Sequence, residues 1–278
     1  MFRLTTFNVN GIRAAAKRGI VAWAEQNPSS VLALQEVRAT AAQFTKAWQP
    51  EATIHLHDSE LKGRAGVAQL SSLPVTAVRT GLAPAGEDEP AVDTGRWLEV
   101  DYDLQGRTRP LTIVSAYLHS GTVGTEKMAQ KYAHLNRVST RLAALKADVD
   151  ARLRDVVVVG DFNIVHSEYD IKNWKGNHNK TAGVLDEEIA YLTHWFDELG
   201  FVDVQRKLAG TSQGPYTWWS WRGKAFDNDA GWRIDYQMAS PQLAATARTA
   251  EVHRAQSYAA RVSDHAALTI SYDLDELS

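Results

Sequence analysis

Four short segments gather carboxylate, amide and imidazole side chains at the ends of apolar runs. They are Phe7-Asn8-Val9-Asn10-Gly11, Leu34-Gln35-Glu36, Gly160-Asp161-Phe162-Asn163 and Ser263-Asp264-His265, with Arg233-Ile234-Asp235-Tyr236 upstream of the last. Singly, most have a plain structural explanation. Asn8 and Asn10 suit turns in which the amide bonds its own backbone. Glu36 suits the solvated end of a strand, and Asp161 caps a run of four valines and a glycine. Asp264-His265 is harder to dismiss, because an acid beside an imidazole is costly to bury without purpose. Jointly the set supplies what metal-assisted phosphoester hydrolysis requires. Carboxylate oxygens hold a hard cation that neutralises the phosphate and the leaving oxygen. Amides orient water and phosphate without adding negative charge. A histidine paired with an aspartate has a fixed tautomer and a raised proton affinity.

Composition narrows the options. The 278 residues carry 30 Lys and Arg against 33 Asp and Glu, a net charge of -3. That excludes holding nucleic acid by bulk positive charge, though not by a local basic groove. Cysteine is absent, which removes disulfides, thiolate metal sites and cysteine nucleophiles. A metal must then use oxygen and histidine ligands, favouring Mg2+ or Mn2+. No run reaches the roughly 18 apolar residues of a membrane span. Met1 to Thr6 lacks the apolar core of a signal peptide. The expectation is a soluble cytoplasmic protein without membrane contact.

Short apolar runs predict strands over 4–9, 31–34, 66–70, 97–102, 111–117, 156–159, 234–239, 247–252 and 266–272. Apolar residues at three- and four-residue spacing predict helices over 12–26, 41–48, 127–147 and 186–199. Strands outnumber helices and several are joined by short turns, as at Ser71 to Pro74. That favours two stacked sheets with helices outside over a single parallel sheet. Ala83 to Asp93, with two prolines and three acids before its end, reads as a mobile loop. Its flanks read as one sheet, so residues 1–278 are expected to form one domain.

Phe7-Asn8-Val9-Asn10-Gly11-Ile12-Arg13-Ala14, Leu34-Gln35-Glu36, Gly160-Asp161-Phe162-Asn163, Trp232-Arg233-Ile234-Asp235 and Ser263-Asp264-His265 occur in this order. They resemble the motifs of the exonuclease III family of abasic-site endonucleases, within the endonuclease/exonuclease/phosphatase superfamily. The resemblance runs from the first strand to the last. It implies an α/β four-layer αββα sandwich, with two mixed sheets face to face, helices outside each, and the site at one sheet edge. It also implies Mg2+-dependent cleavage of DNA 5′ to an abasic site and trimming of 3′ ends, with Mn2+ substituting. On that pattern Glu36 is the main metal ligand, with Asn10 nearby and Asp264 at the edge of the metal site. Asn8 and Asn163 position phosphate and attacking water, and Asp161 activates or orients that water. Asp161 and Asn163 also border the metal. Asp235 pairs with His265, which contacts the scissile phosphate. The Tyr117 hydroxyl reaches the phosphate; without the resemblance, Tyr117 reads equally as a strand-end packing residue.

The stretch Tyr216 to Lys224 is aromatic and basic together. Alternating Trp with Thr or Ser is also good strand material, which leaves a core role open for Trp219 and Trp221. The resemblance implies that Trp218, Trp232 and Ile234 line a pocket for a flipped-out sugar without its base. Extruding such a residue costs little stacking. Arg222 and Lys224 would sit beside that pocket and touch phosphates of duplex DNA, or else be solvated surface charges. Arg13, Lys17, Arg18, Lys172, Lys175 and Lys180 are further basic candidates. Leu118-His119-Ser120 departs from the family, which there has an aromatic or apolar residue, a proline and an amide. Three other readings stay open: a superfamily phosphatase or phosphodiesterase on a non-DNA phosphoester, a DNA-binding relative without catalysis, and a paralogue specialised in 3′-end processing. Nothing in the sequence demands more than a monomer.

Overall fold

The computed structural model describes residues 1–84 and 86–277. In chain order the strands are β1 (Phe2–Asn8), β2 (Val31–Gln35), β3 (Thr53–His57), β4 (Val67–Ser71), β5 (Val75–Thr80), β6 (Trp97–Tyr102), β7 (Leu111–Tyr117), β8 (Asp155–Asp161), β9 (Val202–Asp203), β10 (Asp235–Ala239), β11 (Ala247–His253) and β12 (Ala267–Tyr272). They pair into two six-stranded sheets, ordered β11-β12-β1-β2-β4-β3 and β5-β6-β7-β8-β10-β9. Both are mixed: β1 runs parallel to β2, and β7 parallel to β8, with the other pairs antiparallel.

Period-two alternation explains the layers. Leu4, Val31, Ala33, Ile113, Val157, Val159 and Ile270 meet in one cluster between the sheets. Their chain neighbours face outward. Phe7, Leu32 and Leu34 pack under the helices α1 (Ile12–Lys17), α2 (Ile20–Gln26) and α3 (Ala41–Ala47). Val114, Val156 and Val158 pack under α4 (Glu126–Asp150), α5 (Trp174–Asn177) following later and α6 (Asp186–Thr193) closing the same cluster through Leu192. Two short helices, α7 (Val204–Ala209) and α8 (Pro241–Ala245), add Val204, Leu243 and Ala244 to the cluster between the sheets. The expected four-layer α/β sandwich is the observed fold.

Toward one end, the inner faces become polar. Thr6 donates to Gln35 at 3.0 Å, Gln35 to Ser115 at 3.0 Å, and Gln237 to the Leu4 carbonyl at 2.8 Å. All of these groups are buried; the first bond links neighbouring strands of one sheet, and the other two run from one sheet to the other. Each would cost about 1–3 kcal/mol if left unpaired, so they fix how the sheets sit against each other.

The sequence reading needs several corrections. The helix expected over 12–26 is two, because Gly19 adopts a left-handed φ of 95° and ends the first. The helix expected over 186–199 changes to a π-helical turn at His194–Glu198. Strands β3 and β5 were not anticipated; their half-exposed, mixed residues lack an apolar run. Ser72 to Pro74 does connect two strands tightly, but it carries the chain from the first sheet into the second. The tryptophan-rich stretch is no strand, since Trp218 and Trp232 make only isolated bridges. Ala85 lies outside the described residues, while the far end of its loop, Asp93, is buried and bonded to His119 and Arg137.

Two buried ion clusters brace the end that holds the polar faces. Lys131 lies on the apolar stripe of α4, fully buried, 2.5 Å from Glu188. Its ammonium also donates to the carbonyls of Ser120 and Asn163. Arg233, also fully buried, bonds Asp170 and Asp203 at 2.6 Å each. Burial alone would raise the Asp170 carboxyl, but Arg233 and Arg206 hold it well below the ordinary carboxylate range.

Removing one partner leaves a buried charge uncompensated. Lys131→Met should therefore lose roughly 3–5 kcal/mol in chemical denaturation, and adding Glu188→Gln should recover part of it. A single variant within about 1 kcal/mol of wild type would contradict this account. Because Asp170 titrates low in the folded chain, its contribution is complete above the unfolded value of about 3.9. It is lost as pH falls below that value toward the folded one. Asp170→Asn should thus destabilise at pH 7 and flatten the loss of stability below about pH 4, read from urea midpoints.

Candidate active site

The inner face of each strand near this end carries a functional side chain next in register after the polar layer. Asn8 follows Thr6 on β1. On the opposing sheet Tyr117, Asp161 and Asp235 stand in one row, paired across β7, β8 and β10. Gly160 makes this row possible: it has φ 139°, and a Cβ there would fall 1.9 Å from the Ala116 carbonyl oxygen. His265 precedes β12 and reaches the same place from the first sheet.

The row is wired across the two sheets. Asn8 donates its amide to Asp161 Oδ2 at 2.8 Å, and the backbone N–H of Asn163 donates to Asp161 Oδ1 at 2.9 Å. His265 Nδ1 bonds Asp235 Oδ2 at 2.8 Å, while its Nε2 lies 3.7 Å from Asp161 Oδ2. Burial of Asp161, with Asp235 and Glu36 nearby, pushes its carboxyl up to about 7 against the opposing pull of His265. Burial works against the His265 imidazolium, but Asp235 and Asp161 outweigh it and raise the ring to about 10. His265 is therefore a cation at neutral pH.

Opposite stands Glu36. It accepts from the Tyr117 hydroxyl at 2.5 Å and from Arg38 at 2.8 Å. Burial and Glu36 keep Tyr117 a phenol, well above its ordinary value. Asn10 donates to Asp264 at 2.8 Å, which also accepts from the Trp218 indole at 3.1 Å. Asn163 donates its side-chain amide to the Leu118 carbonyl at 2.9 Å. Glu36, Asn10 and Asn163 have φ of 50°, 47° and 53°. Asparagine tolerates that region, whereas glutamate there is backbone strain concentrated at one spot.

Asn10, Glu36, Tyr117, Asp161, Asn163, Trp218, Trp232, Ile234, Asp264 and His265 all line one cavity of about 640 Å³. Asn8 and Asp235 sit buried behind it, at 1% and 0% exposure. The rings of Trp218 and Trp232 meet edge-on, centroids 5.5 Å apart, and Ile234 packs beside them with Val165, Ile171 and Val184. Trp219 turns the other way, into a core with Tyr216 and Phe226. Trp221 stays near the surface against Arg18 and Arg261. Arg222 and Lys224 are exposed on the following turn and are not part of the cavity wall.

Sequence reasoning missed Arg38, which lines the cavity together with residues 120–123 of the loop that departs from the family pattern, and the Lys131–Glu188 brace beneath Asn163. A lysine between Met128 and Leu135 on an apolar helical stripe was the available signal.

The donor set suits a hard divalent cation. Glu36, Asp264 and the carbonyl of Asn10 offer oxygens at the cavity wall. Asp235 Oδ1 is buried without a hydrogen-bond partner. Asp161, Asp235 and His265 also lie within ligand distance of one another. A protonated ring already bonded to Asp235 is a poor ligand, however, so the Glu36 side fits a metal better.

Known proteins resemble this chain in sequence and fold. The model of the Endonuclease/Exonuclease/phosphatase family matches residues 5–265. A DNA-(apurinic or apyrimidinic site) endonuclease of Dictyostelium discoideum is 28% identical, over 98% of this chain and 71% of that protein. An exodeoxyribonuclease of Bacillus subtilis is 28% identical, over 87% of this chain and 89% of that protein. Among solved structures, the 3′ phosphatase NExo from Neisseria bound to product DNA hairpin superposes with a TM-score of 0.82 at 26% identity, covering 98% of this chain and all of that one. An AP endonuclease from Archaeoglobus fulgidus gives 0.81 at 28% identity, with the same coverage. With a family match spanning nearly the whole chain and a fold to go with it, the chain belongs to the Endonuclease/Exonuclease/phosphatase family.

Proposed function

We propose that this chain is a Mg2+-dependent DNA repair nuclease that hydrolyses the phosphodiester 5′ to an abasic site and removes nucleotides or blocking groups from 3′ ends. The observation that carries this reading is the convergence, across two sheets, of Asp161 and an Asp235-paired His265 on a cavity walled by Trp218, Trp232 and Ile234. The relatives named as abasic-site endonuclease and exodeoxyribonuclease, and the Neisseria structure with a DNA hairpin, support DNA as the substrate.

Glu36, Asn10 and Asp264 would hold Mg2+, with Asp161 and Asn163 bordering it; the bound ion neutralises charge on the phosphate and on the departing oxygen. The residues of the chain do the rest. Asp161, fixed by the Asn8 amide and the Asn163 N–H, accepts a hydrogen bond from the attacking water and aligns it. His265 presents Nε2–H to a non-bridging oxygen, its charge maintained by Asp235. Tyr117 turns its hydroxyl from Glu36 to donate to the same phosphate. The apolar wall admits a deoxyribose that has lost its base and excludes a nucleotide that still carries one. Arg222 and Lys224, together with Lys180 at the cavity wall, contact flanking phosphates, which implies salt-sensitive binding without base readout. The chain acts as a monomer on the duplex.

A second reading, a paralogue devoted to 3′ ends, has a specific observation in its favour. Residues 120–123 line the cavity within the stretch that departs from the family pattern at Leu118-His119-Ser120, and NExo is described as a 3′ phosphatase.

Duplex DNA carrying a tetrahydrofuran site should be nicked on its 5′ side. Rates on that duplex, a 3′-phosphate and a recessed 3′ end then rank the two readings. Hydrolysis of inositol phosphates with no cleavage of any DNA would overturn both. Asp161→Asn and His265→Ala should each lose on the order of a hundredfold or more in turnover while remaining folded by circular dichroism. EDTA should abolish cleavage, with Mg2+ or Mn2+ restoring it; full activity in EDTA would remove the metal from the reading.

A further inference from the structure

Asp93, His119 and His134 form a second cluster of metal-ligating side chains on the far side of Tyr117 from the tryptophan wall. One ligand atom from each lies within 4.8 Å of the others. His119 Nε2 is 2.6 Å from Asp93 Oδ1, and His134 Nδ1 is 3.4 Å from the same oxygen. The remaining Asp93 oxygen is taken by Arg137. Asp93 and His134 are buried and His119 nearly so.

His134 is the anomaly. It sits fully buried on α4, yet neither ring nitrogen has a hydrogen-bond partner. Buried polar groups almost always find one, and a residue needing only bulk there would be apolar. Its Nδ1 is aimed at the one oxygen that His119 also faces. Burial keeps both rings neutral, His119 down at about 2 and His134 at about 3, so each ring keeps one lone pair and binding need expel no proton.

We propose that Asp93, His119 and His134 bind a first-row transition ion, Zn2+ by preference, at a site separate from the one beside Glu36. Two imidazole nitrogens and one carboxylate oxygen suit Zn2+ rather than Mg2+. Zn–N and Zn–O distances of about 2.0–2.1 Å in a tetrahedron put ligand atoms about 3.3 Å apart. The 3.4 Å between His134 and Asp93 already matches, and the 2.6 Å contact of His119 must open by less than 1 Å. In that motion the His119 proton moves from Nε2 to Nδ1 and no proton leaves the protein. Arg137 serves as the outer partner of the ligating carboxylate. Arg96, which bonds the carbonyls of Val92 and Tyr117, opposes any cation here and selects for one that imidazole binds strongly. A water completes the fourth position from the cleft that His119 lines with Arg96 and Gln130. The ion would tie residues 118–125 to α4 and to the loop before β6.

The experiment uses the full chain stripped with EDTA, dialysed against ZnCl2 and assayed for bound metal, alongside Glu36→Gln and His134→Phe. Wild type and Glu36→Gln should both retain one Zn2+ that His134→Phe lacks. Zn2+ in hundredfold excess over its Kd should raise Tm by at least about 5 °C in the first two and not in the third. If His134 only fills space, His134→Phe binds Zn2+ like wild type, and the proposal fails. It fails equally if wild type holds no Zn2+ beyond what Glu36→Gln loses. Should His134→Phe not fold, His119→Gln is read the same way, and Co2+ bound to wild type must show two imidazole N–H signals in its paramagnetic proton spectrum.

Discussion

Two sheets whose inner faces are apolar at one end and polar at the other can be stacked in only one way. Thr6, Gln35, Ser115 and Gln237 bond across or along the gap between the sheets, and each is buried. Slipping one strand's register by a single residue would send its inward groups to the outer face, and sliding one sheet over the other would leave the partners unmatched. Asn8, Tyr117, Asp161 and Asp235 are simply the next inward positions on the same strands. The bonds that set the stacking therefore also set the distance from Asn8 to Asp161, and the site inherits its geometry from the core.

The same stacking confines like charges. Asp161, Asp235 and Glu36 face each other with little water, and the rise of Asp161 to about 7 measures their repulsion and burial. His265 offsets part of this, as does Arg38 at Glu36. A folded chain that keeps such a group of acids, together with a strained Glu36 backbone, must gain its stability elsewhere. The apolar layer between the sheets is where it does so.

Much of this was legible in the sequence. Polar residues at the ends of apolar runs marked the acids, amides and histidine of the cavity, the resemblance marked Tyr117, Trp218, Trp232 and Ile234, and the strand count pointed to two sheets with outer helices. What escaped has physical reasons. Four consecutive valines at 156–159 hide the alternation that assigns Val157, Val159 and Asp161 to the inner face, because both faces of β8 are covered. Gln35, Gln69 and Gln237 look like surface residues until strands from distant parts of the chain enclose them. Arg222 and Lys224 illustrate the converse. Charge beside an aromatic run suggests a binding wall, but a turn at 221–230 carries both away from the cavity.

The wall itself depends on ions more than on strand pairing. Trp218 and Trp232 share a single bridge, and Trp232 another with Ile171, so no ladder holds them. In Trp232-Arg233-Ile234-Asp235 successive side chains alternate: Trp232 and Ile234 face the cavity, while Arg233 turns back to Asp170 and Asp203. The guanidinium fixes the segment from behind with two carboxylates drawn from separate elements, the 3-10 turn at Glu168–Asp170 and β9. Asp235, one residue further, begins β10 and meets His265. Four consecutive residues thus join cavity wall, buried anchor and the Tyr117–Asp161–Asp235 row, which makes the shape of the pocket and the position of His265 respond together to any change at Arg233.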